Sequence, residues 1–178
     1  MEDMEKLRYP IGRFSAPKTI TEAHISSWLQ SLETLPERLR QLVGSLSEDQ
    51  LETPYRPGGW TVRQTIHHLA DSHHNSYIRF KWGMTEENPV IKPYDEKAWA
   101  ELHDAKCGPV GPSLDHLAAV HAKLVYFLRG LEEKQLNRTF THPDSDTITT
   151  LKENIGRYAW HGNHHLAHLE HLGLRSGC

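Results

Sequence analysis

The chain has 178 residues, a length typical of one domain. Its composition is 37% hydrophobic and 24% charged, which indicates a globular protein and excludes a wholly disordered chain. The 20 basic and 23 acidic residues give a formal net charge of −3, which argues against nucleic-acid binding because that function concentrates positive charge on one face. No apolar run approaches the ~20 residues of a membrane-spanning helix. The unusual count is histidine, with 14 residues.

The predicted elements begin with an extended arm over residues 1–18, which contains two prolines and a glycine. The first ten residues are charged and lack the apolar stretch of a signal peptide, so we expect a cytoplasmic protein. A long helix then begins at Thr19 or Thr21 and extends to about Ser45, with apolar residues at helical spacing. Pro36 leaves open whether this segment forms one helix or two.

Three further long helices are predicted from apolar spacing and capping signals, over residues 61–83, 113–131 and 150–172. The proline-rich connection over residues 85–111 contains a short predicted helix at 95–104. Strand signals are weak, and THPDSDTIT is interpreted as a polar loop. The sequence therefore predicts an all-α four-helix bundle with a long crossover between helices two and three, as a single domain over residues 1–178.

Several familiar sites are excluded by missing residues. Cys107 and Cys178 are far apart and no CxxC occurs, which argues against a disulfide framework and a cysteine zinc site. The segment between His161 and His165 lacks the glutamate of HExxH, and no nucleotide-binding glycine loop or GxSxG is present. A di-iron bundle needs Glu-x-x-His on two helices, which this sequence does not contain.

Nine histidines lie in two short segments, HHLADSHH and HGNHHLAHLEH, each inside a predicted helix. On the last helix, His161 and His165 are four residues apart and share one flank of the apolar stripe, whereas His164 and His171 point further toward solvent. Such a pair can present two nitrogens to one ion at about 2.0–2.1 Å. We interpret His161 and His165 as a ligand pair, and the alternative is that they hydrogen-bond at a helix interface.

The second helix is less decisive. Its apolar periodicity places His73 in the middle of the buried stripe, a position more typical of a hydrogen-bonded core histidine than of a ligand. His68 lies on a polar flank, from which it can reach a cleft between helices two and four. A third, solvated face is predicted to carry His67, Asp71 and His74. Periodicity alone leaves the ligand from this helix open.

Four blocks, YPIGRF, TPYRPGGWTVRQTIHHLADSHHNSYIRFK, KPYDEKAW and YAWHGNHHLAH, together resemble the DinB/YfiT-like family, whose members are named metal-dependent hydrolases. The resemblance covers nearly the whole chain in the same order. It implies a four-helix bundle with one divalent metal per chain, zinc or nickel, held by three histidines. The ligands that it implies here are His68, His161 and His165, so it favours His68 over His73.

Three histidine ligands leave one coordination position open, which is the pattern of a catalytic site. The resemblance therefore implies a hydrolase of small-molecule substrates with a metal-bound water as nucleophile, and a homodimer. A coordinated thiol also loses its proton, so a metal-dependent S-transferase that uses a low-molecular-weight thiol such as bacillithiol or mycothiol is an alternative. A non-catalytic metal-binding module is a second alternative to the hydrolase. Asp71 and Asn75 are candidates for hydrogen bonds to the ligand imidazoles.

Overall fold

The structure is a computed structural model that describes residues 4–176, with side chains described through residue 172. Cys178, one of the two cysteines weighed above, lies outside the described residues. Within them the elements follow in the order α1 (Met4–Arg8), α2 (Glu22–Val43), α3 (Glu48–Leu51), α4 (Val62–Thr85), α5 (Glu96–Ala100), α6 (His103–Cys107), α7 (Gly111–Arg129), α8 (Glu133–Leu136), β1 (Thr139–His142), β2 (Thr147–Thr150) and α9 (Leu151–Ser176).

The four long helices α2, α4, α7 and α9 form the predicted four-helix bundle. Helix α2 packs against α7 and α9, and α4 packs against the same two helices. The consecutive pairs α2 and α4, and α7 and α9, therefore occupy opposite corners. The long connection from α4 to α7, which carries α5 and α6, joins neighbouring helices. This order places α4 beside α9, so the two histidine-rich segments face each other.

The helix starts follow their capping signals. The hydroxyls of Thr21, Ser47 and Thr61 accept hydrogen bonds from backbone N–H groups one turn into α2, α3 and α4. The structure thus selects Thr21 over Thr19 as the start of α2. Thr150 accepts from the Glu153 amide at 3.2 Å and opens α9 as predicted. Pro36 lies inside α2, which continues through it as one helix.

The core has two apolar clusters separated by a polar layer. One cluster contains Leu32, Phe80 and Leu124, and the other contains Leu35 and Leu117, with further residues of all four long helices in each. Three histidines, on α4, α7 and α9, lie between residues of the two clusters and contact one another there: His73, His121 and His161. Such a layer is held only if its polar atoms are hydrogen-bonded, since an unpaired buried polar group is costly.

Helices α2 and α9 approach closely at this polar layer because α9 carries a glycine there. A Cβ atom added at Gly162 would overlap the side chain of Leu35 and lie 3.5 Å from Cε1 of His73. A second glycine, Gly156, lies against the ring of Trp28 with the same consequence, since a Cβ there would be 2.8 Å from ring atoms. Because a side chain would not fit at either glycine, α2 packs directly against α9, and at Gly162 this contact borders the histidine layer.

Two segments differ from their predictions. The supposed polar loop is an antiparallel hairpin, β1 paired with β2, in which Thr139 lies opposite Thr150. Its β-branched residues favour strands, and the turn residues that suggested a loop occupy only the tip, where Asp146 has a positive φ of 52°. The predicted extended arm contains the short helix α1 and lies on α9, since the Trp160 Nε1–H donates to the Gly12 carbonyl at 3.1 Å. In the described residues, no helix is both long and apolar enough to cross a bilayer.

Candidate metal centre

Three histidines converge where α4 faces α9. One ring nitrogen from each of His68, His161 and His165 lies within 4.8 Å of those of the other two. The Nε2 atoms of His68 and His161 are 3.2 Å apart, close to the ~3.3 Å between two nitrogens that bind one tetrahedral ion at about 2.0–2.1 Å. The three rings line a cavity of about 580 Å³. The structure thus brings together the residues that the family resemblance implies.

A row of hydrogen bonds leads away from this cluster through the polar layer. Nδ1 of His161 lies 3.1 Å from Nε2 of His73, and Nδ1 of His73 lies 2.8 Å from Nε2 of His121. Nδ1 of His121 donates to the backbone carbonyl of Leu32. The row therefore crosses the bundle from α9 through α4 and α7 to α2.

The carbonyl at the end of the row is available because of a proline. In a helix the carbonyl of residue 32 would accept from the amide of residue 36. Residue 36 is a proline, which has no N–H, so the Leu32 oxygen lacks its helical donor. The imidazole of His121 supplies the missing hydrogen bond. A residue that looked like a possible helix break in the sequence thus anchors the row.

The row determines where the protons are. A carbonyl only accepts, so Nδ1 of His121 carries its proton, and the neutral ring accepts at Nε2 from Nδ1 of His73. By the same step, Nε2 of His73 accepts from Nδ1 of His161. The Nε2 atom of His161 then has a free lone pair, and it is the atom that faces Nε2 of His68. Second hydrogen bonds of this kind orient metal-ligating histidines.

Burial keeps the rings neutral. It lowers the pKa of His68 to about 4 and the pKa of His161 and His165 well below the ordinary 6.5, and neighbouring imidazoles lower each further. The pKa of His73 is also well below 6.5, and that of His121 is about 4, again chiefly through burial. Neutral imidazoles are the form that binds a metal ion.

The stability of the metal-free protein should fall as the pH falls from 7.5 to 5.5. The unfolded chain protonates its histidines near 6.5, whereas the buried rings resist protonation until about pH 4, so the unfolded state binds more protons in this window. Each such histidine lowers the free energy of unfolding by up to about 1.4 kcal/mol for each unit by which the pH falls in this window. Asp71, whose pKa burial raises to about 6, acts in the opposite direction as a single group. Urea unfolding in the presence of a chelator measures the effect, and equal free energies at pH 7.5 and 5.5 would contradict it.

The structure places Asp71 and Asn75, the two candidates for hydrogen bonds to the ligand imidazoles, in other surroundings. Among the described residues, neither side chain hydrogen-bonds to the three histidines. Asp71 lies on the face of α4 that packs toward α6 and α7, where Asp104 and His116 act on its pKa. The Asn75 amide donates to the Asp71 backbone carbonyl at 2.9 Å, within its own helix. The side chain that hydrogen-bonds to His161 from α4 is His73, at 3.1 Å.

Two other histidines lie in places that the helical wheel did not predict. His67 is buried rather than solvated, because α6 and α7 cover it, and its Nδ1 lies 2.8 Å from the Ser113 hydroxyl. His164 is buried under Trp160, with ring centroids 4.6 Å apart. His171 is exposed as predicted.

His121 was missed by the sequence analysis, although a signal was present. It is 1% exposed and occupies a position on the apolar stripe of α7, between Leu117 and Leu124 at helical spacing. A histidine in such a stripe needs a buried partner. The sequence contains 13 other histidines, so the signal indicates a polar contact but not its partner.

Comparison with known proteins shows which family the chain is similar to. The chain matches the DinB superfamily over residues 31–169. It is 49% identical to "Putative metal-dependent hydrolase YfiT" of Bacillus subtilis over 96% of each chain, and 54% identical to a Bacillus mycoides protein of the same description over 97% of this chain and 98% of that one.

The solved structure of Bacillus subtilis YfiT, described as "a probable metal-dependent hydrolase with an unusual four-helix bundle topology", covers 97% of this chain with a TM-score of 0.95. Both the fold and the family predicted from the sequence are thereby confirmed. With a match over most of its length and relatives at about half identity, this chain belongs to the DinB superfamily.

Proposed function

We propose that the protein is a divalent-metal-dependent hydrolase whose ion is held by His68, His161 and His165. The observation that carries the proposal is the convergence of three neutral imidazoles on one wall of a cavity. Among the described residues no fourth histidine, cysteine or carboxylate joins the group, which favours an open coordination position over a closed structural site. The names of the close relatives support the same activity.

When bound, a divalent ion supplies a Lewis acid and lowers the pKa of a water toward ~7. The chain's own residues hold the histidine ligands in their orientations. The row from His161 to the Leu32 carbonyl fixes the ring orientation and the tautomer of His161. The ring of Trp60 covers His68, with centroids 4.6 Å apart, and shields that edge of the cluster from water.

The test is a paired assay on metal-free protein reloaded with zinc or with nickel. Panels of carboxylic esters and amides in water should be hydrolysed by the reloaded protein and not by the metal-free one. The same electrophiles are then offered with added small thiols. Turnover that appears only with a thiol would overturn the hydrolase proposal in favour of S-transfer, and binding of metal without any turnover would favour a non-catalytic module.

The metal itself is measured by elemental analysis of the protein as purified, where we expect about one ion per chain. The homodimer and the cytoplasmic location stay predictions of the family resemblance and of the sequence. Light scattering tests the first, and fractionation of cells tests the second.

A further inference from the structure

A second cavity, of about 810 Å³, also borders His161. It lies between α4, α9, the hairpin and the segment before α5, and its walls combine aromatic rings with polar groups. Five of the charged side chains that line it are exposed: Asp95, Glu96, Lys97, Asp144 and Arg157. Arg79 is the buried charge among them.

Arg79 lacks the partner that a buried arginine normally has. Arg79 is 9% exposed, and no carboxylate of the described residues forms an ion pair with it. Its Nη1–H donates to the Tyr158 hydroxyl at 3.3 Å, and its Nε–H is buried without an acceptor. A guanidinium stays protonated at any physiological pH, so Arg79 carries a buried positive charge without an ion-pair partner among the described residues.

Another arginine of the same helix shows the usual solution. Arg63 is 5% exposed, and it donates to the carboxylates of Glu48 and Glu52 and to the Gly108 carbonyl. Carboxylates therefore pair with Arg63 and not with Arg79, although both are buried on one helix. Since an unpaired buried cation is unfavourable, an anion in the cavity that Arg79 lines would supply the counter-charge that Arg63 already has.

A second donor lies beside Arg79. The Tyr158 hydroxyl oxygen accepts hydrogen bonds from Arg79 at 3.3 Å and from the Ser72 hydroxyl at 3.5 Å, so its own proton can go to another acceptor. The Tyr158 ring is 5.6 Å from that of His161, which places this donor next to the metal centre. An N–H of arginine and an O–H of tyrosine together match two oxygens of one carboxylate or phosphate group.

We propose that this cavity binds an anionic group of the substrate, a carboxylate or a phosphate monoester, on Arg79 and Tyr158. The inference deepens the proposed hydrolase function and rests on it for the reaction, but anion binding itself does not require the metal. The substrate class is then a small molecule that carries one anionic group close to the bond that is cleaved.

The experiment measures binding by calorimetry to metal-free protein, so that the metal cannot act as the anion receptor. The probes are hippurate, its uncharged analogue hippuramide, and phenyl phosphate. Hippurate or phenyl phosphate should bind the unmodified chain at least about tenfold more tightly than hippuramide, as expected for hydrogen bonds to a charged group. The preference between them shows which anion the site fits better.

Three variants locate the effect. Arg79→Met should remove the preference for the anionic probes over hippuramide. Arg79→Lys keeps the positive charge but should weaken this preference, because lysine lacks the bidentate hydrogen-bonding geometry of a guanidinium. Arg157→Met is the matched control, because Arg157 lines the same cavity but is exposed and paired with Glu153 at 3.0 Å. Arg79→Met should also unfold at the same or a higher temperature, since it removes an unpaired buried charge, and that result shows that the variant is folded.

Equal binding of hippurate, phenyl phosphate and hippuramide, absence of binding by all three, or a preference that survives Arg79→Met would overturn the inference. If the anion preference is found but reloaded protein hydrolyses nothing, the anion site stands and the proposed function fails. If reloaded protein hydrolyses neutral esters without any anion preference, the proposed function stands and this inference fails.

Discussion

Replacing His161 with alanine is expected to empty the metal site. His161 is one of three converging donors, and it is the one whose free Nε2 lone pair is set by the hydrogen-bond row. Without it two imidazoles remain, too few to hold an ion through dialysis against a weak chelator. Elemental analysis should give about one ion per chain for the unmodified protein and less than about 0.1 for the variant. Hydrolysis by the reloaded variant should be lost to the same extent.

The matched control is His164→Ala, on the same helix and also buried. His164 packs on Trp160 and is outside the group of three, so this variant should keep its metal. Unchanged metal content in His161→Ala would remove His161 from the site. Equal loss in both variants would mean that histidine density on α9, rather than the three-residue geometry, holds the ion.

The second prediction compares His68→Ala with His73→Ala, because these two histidines lie on the same helix but have different roles. His68→Ala should lose the metal and keep most of the free energy of unfolding. His73→Ala should destabilise the protein by about 3 kcal/mol or more, because it leaves a cavity and removes the partner of two buried ring nitrogens, on His121 and His161. The loss of the hydrogen bond that orients His161 should also weaken metal binding by roughly 10–100-fold, without abolishing it.

Urea unfolding of the metal-free variants and chelator competition for zinc measure the two effects independently. His67→Ala serves as control, since His67 is buried on α4 but bonds to Ser113 on α7, away from the cluster. If His73→Ala cannot hold zinc while His68→Ala holds it normally, the ligand is His73 and the resemblance-based assignment is wrong.

Much of the fold was predictable because its signals are local. Capping residues such as Thr61 mark where helices begin, and apolar spacing shows which faces are buried. The hairpin was not predictable in this way. Its strands have four residues each, its tip is rich in turn residues, and its stability comes from packing against the segment before α5, where Ile91 donates to the Thr141 carbonyl at 3.0 Å.

The candidate site was predictable only in part, since it depends on how helices are arranged around the bundle. The spacing of His161 and His165 is a property of one helix, and the wheel identified it. The choice between His68 and His73 depends on which flank of α4 faces α9, which no periodicity within α4 reveals. The unpaired state of Arg79 could not be predicted from the sequence, because the sequence does not show which carboxylates lie within bonding distance of a buried arginine.

Pro36 carries a consequence for protein engineering. A proline in mid-helix is an obvious target for stabilisation, because replacing it restores a backbone hydrogen bond. In this chain the restored amide would compete with His121 for the Leu32 oxygen, and each imidazole between there and the cavity would be free to turn its proton the other way. A more stable helix at this position would therefore come with less ordered imidazoles at the proposed metal site, which lies on the opposite side of the bundle.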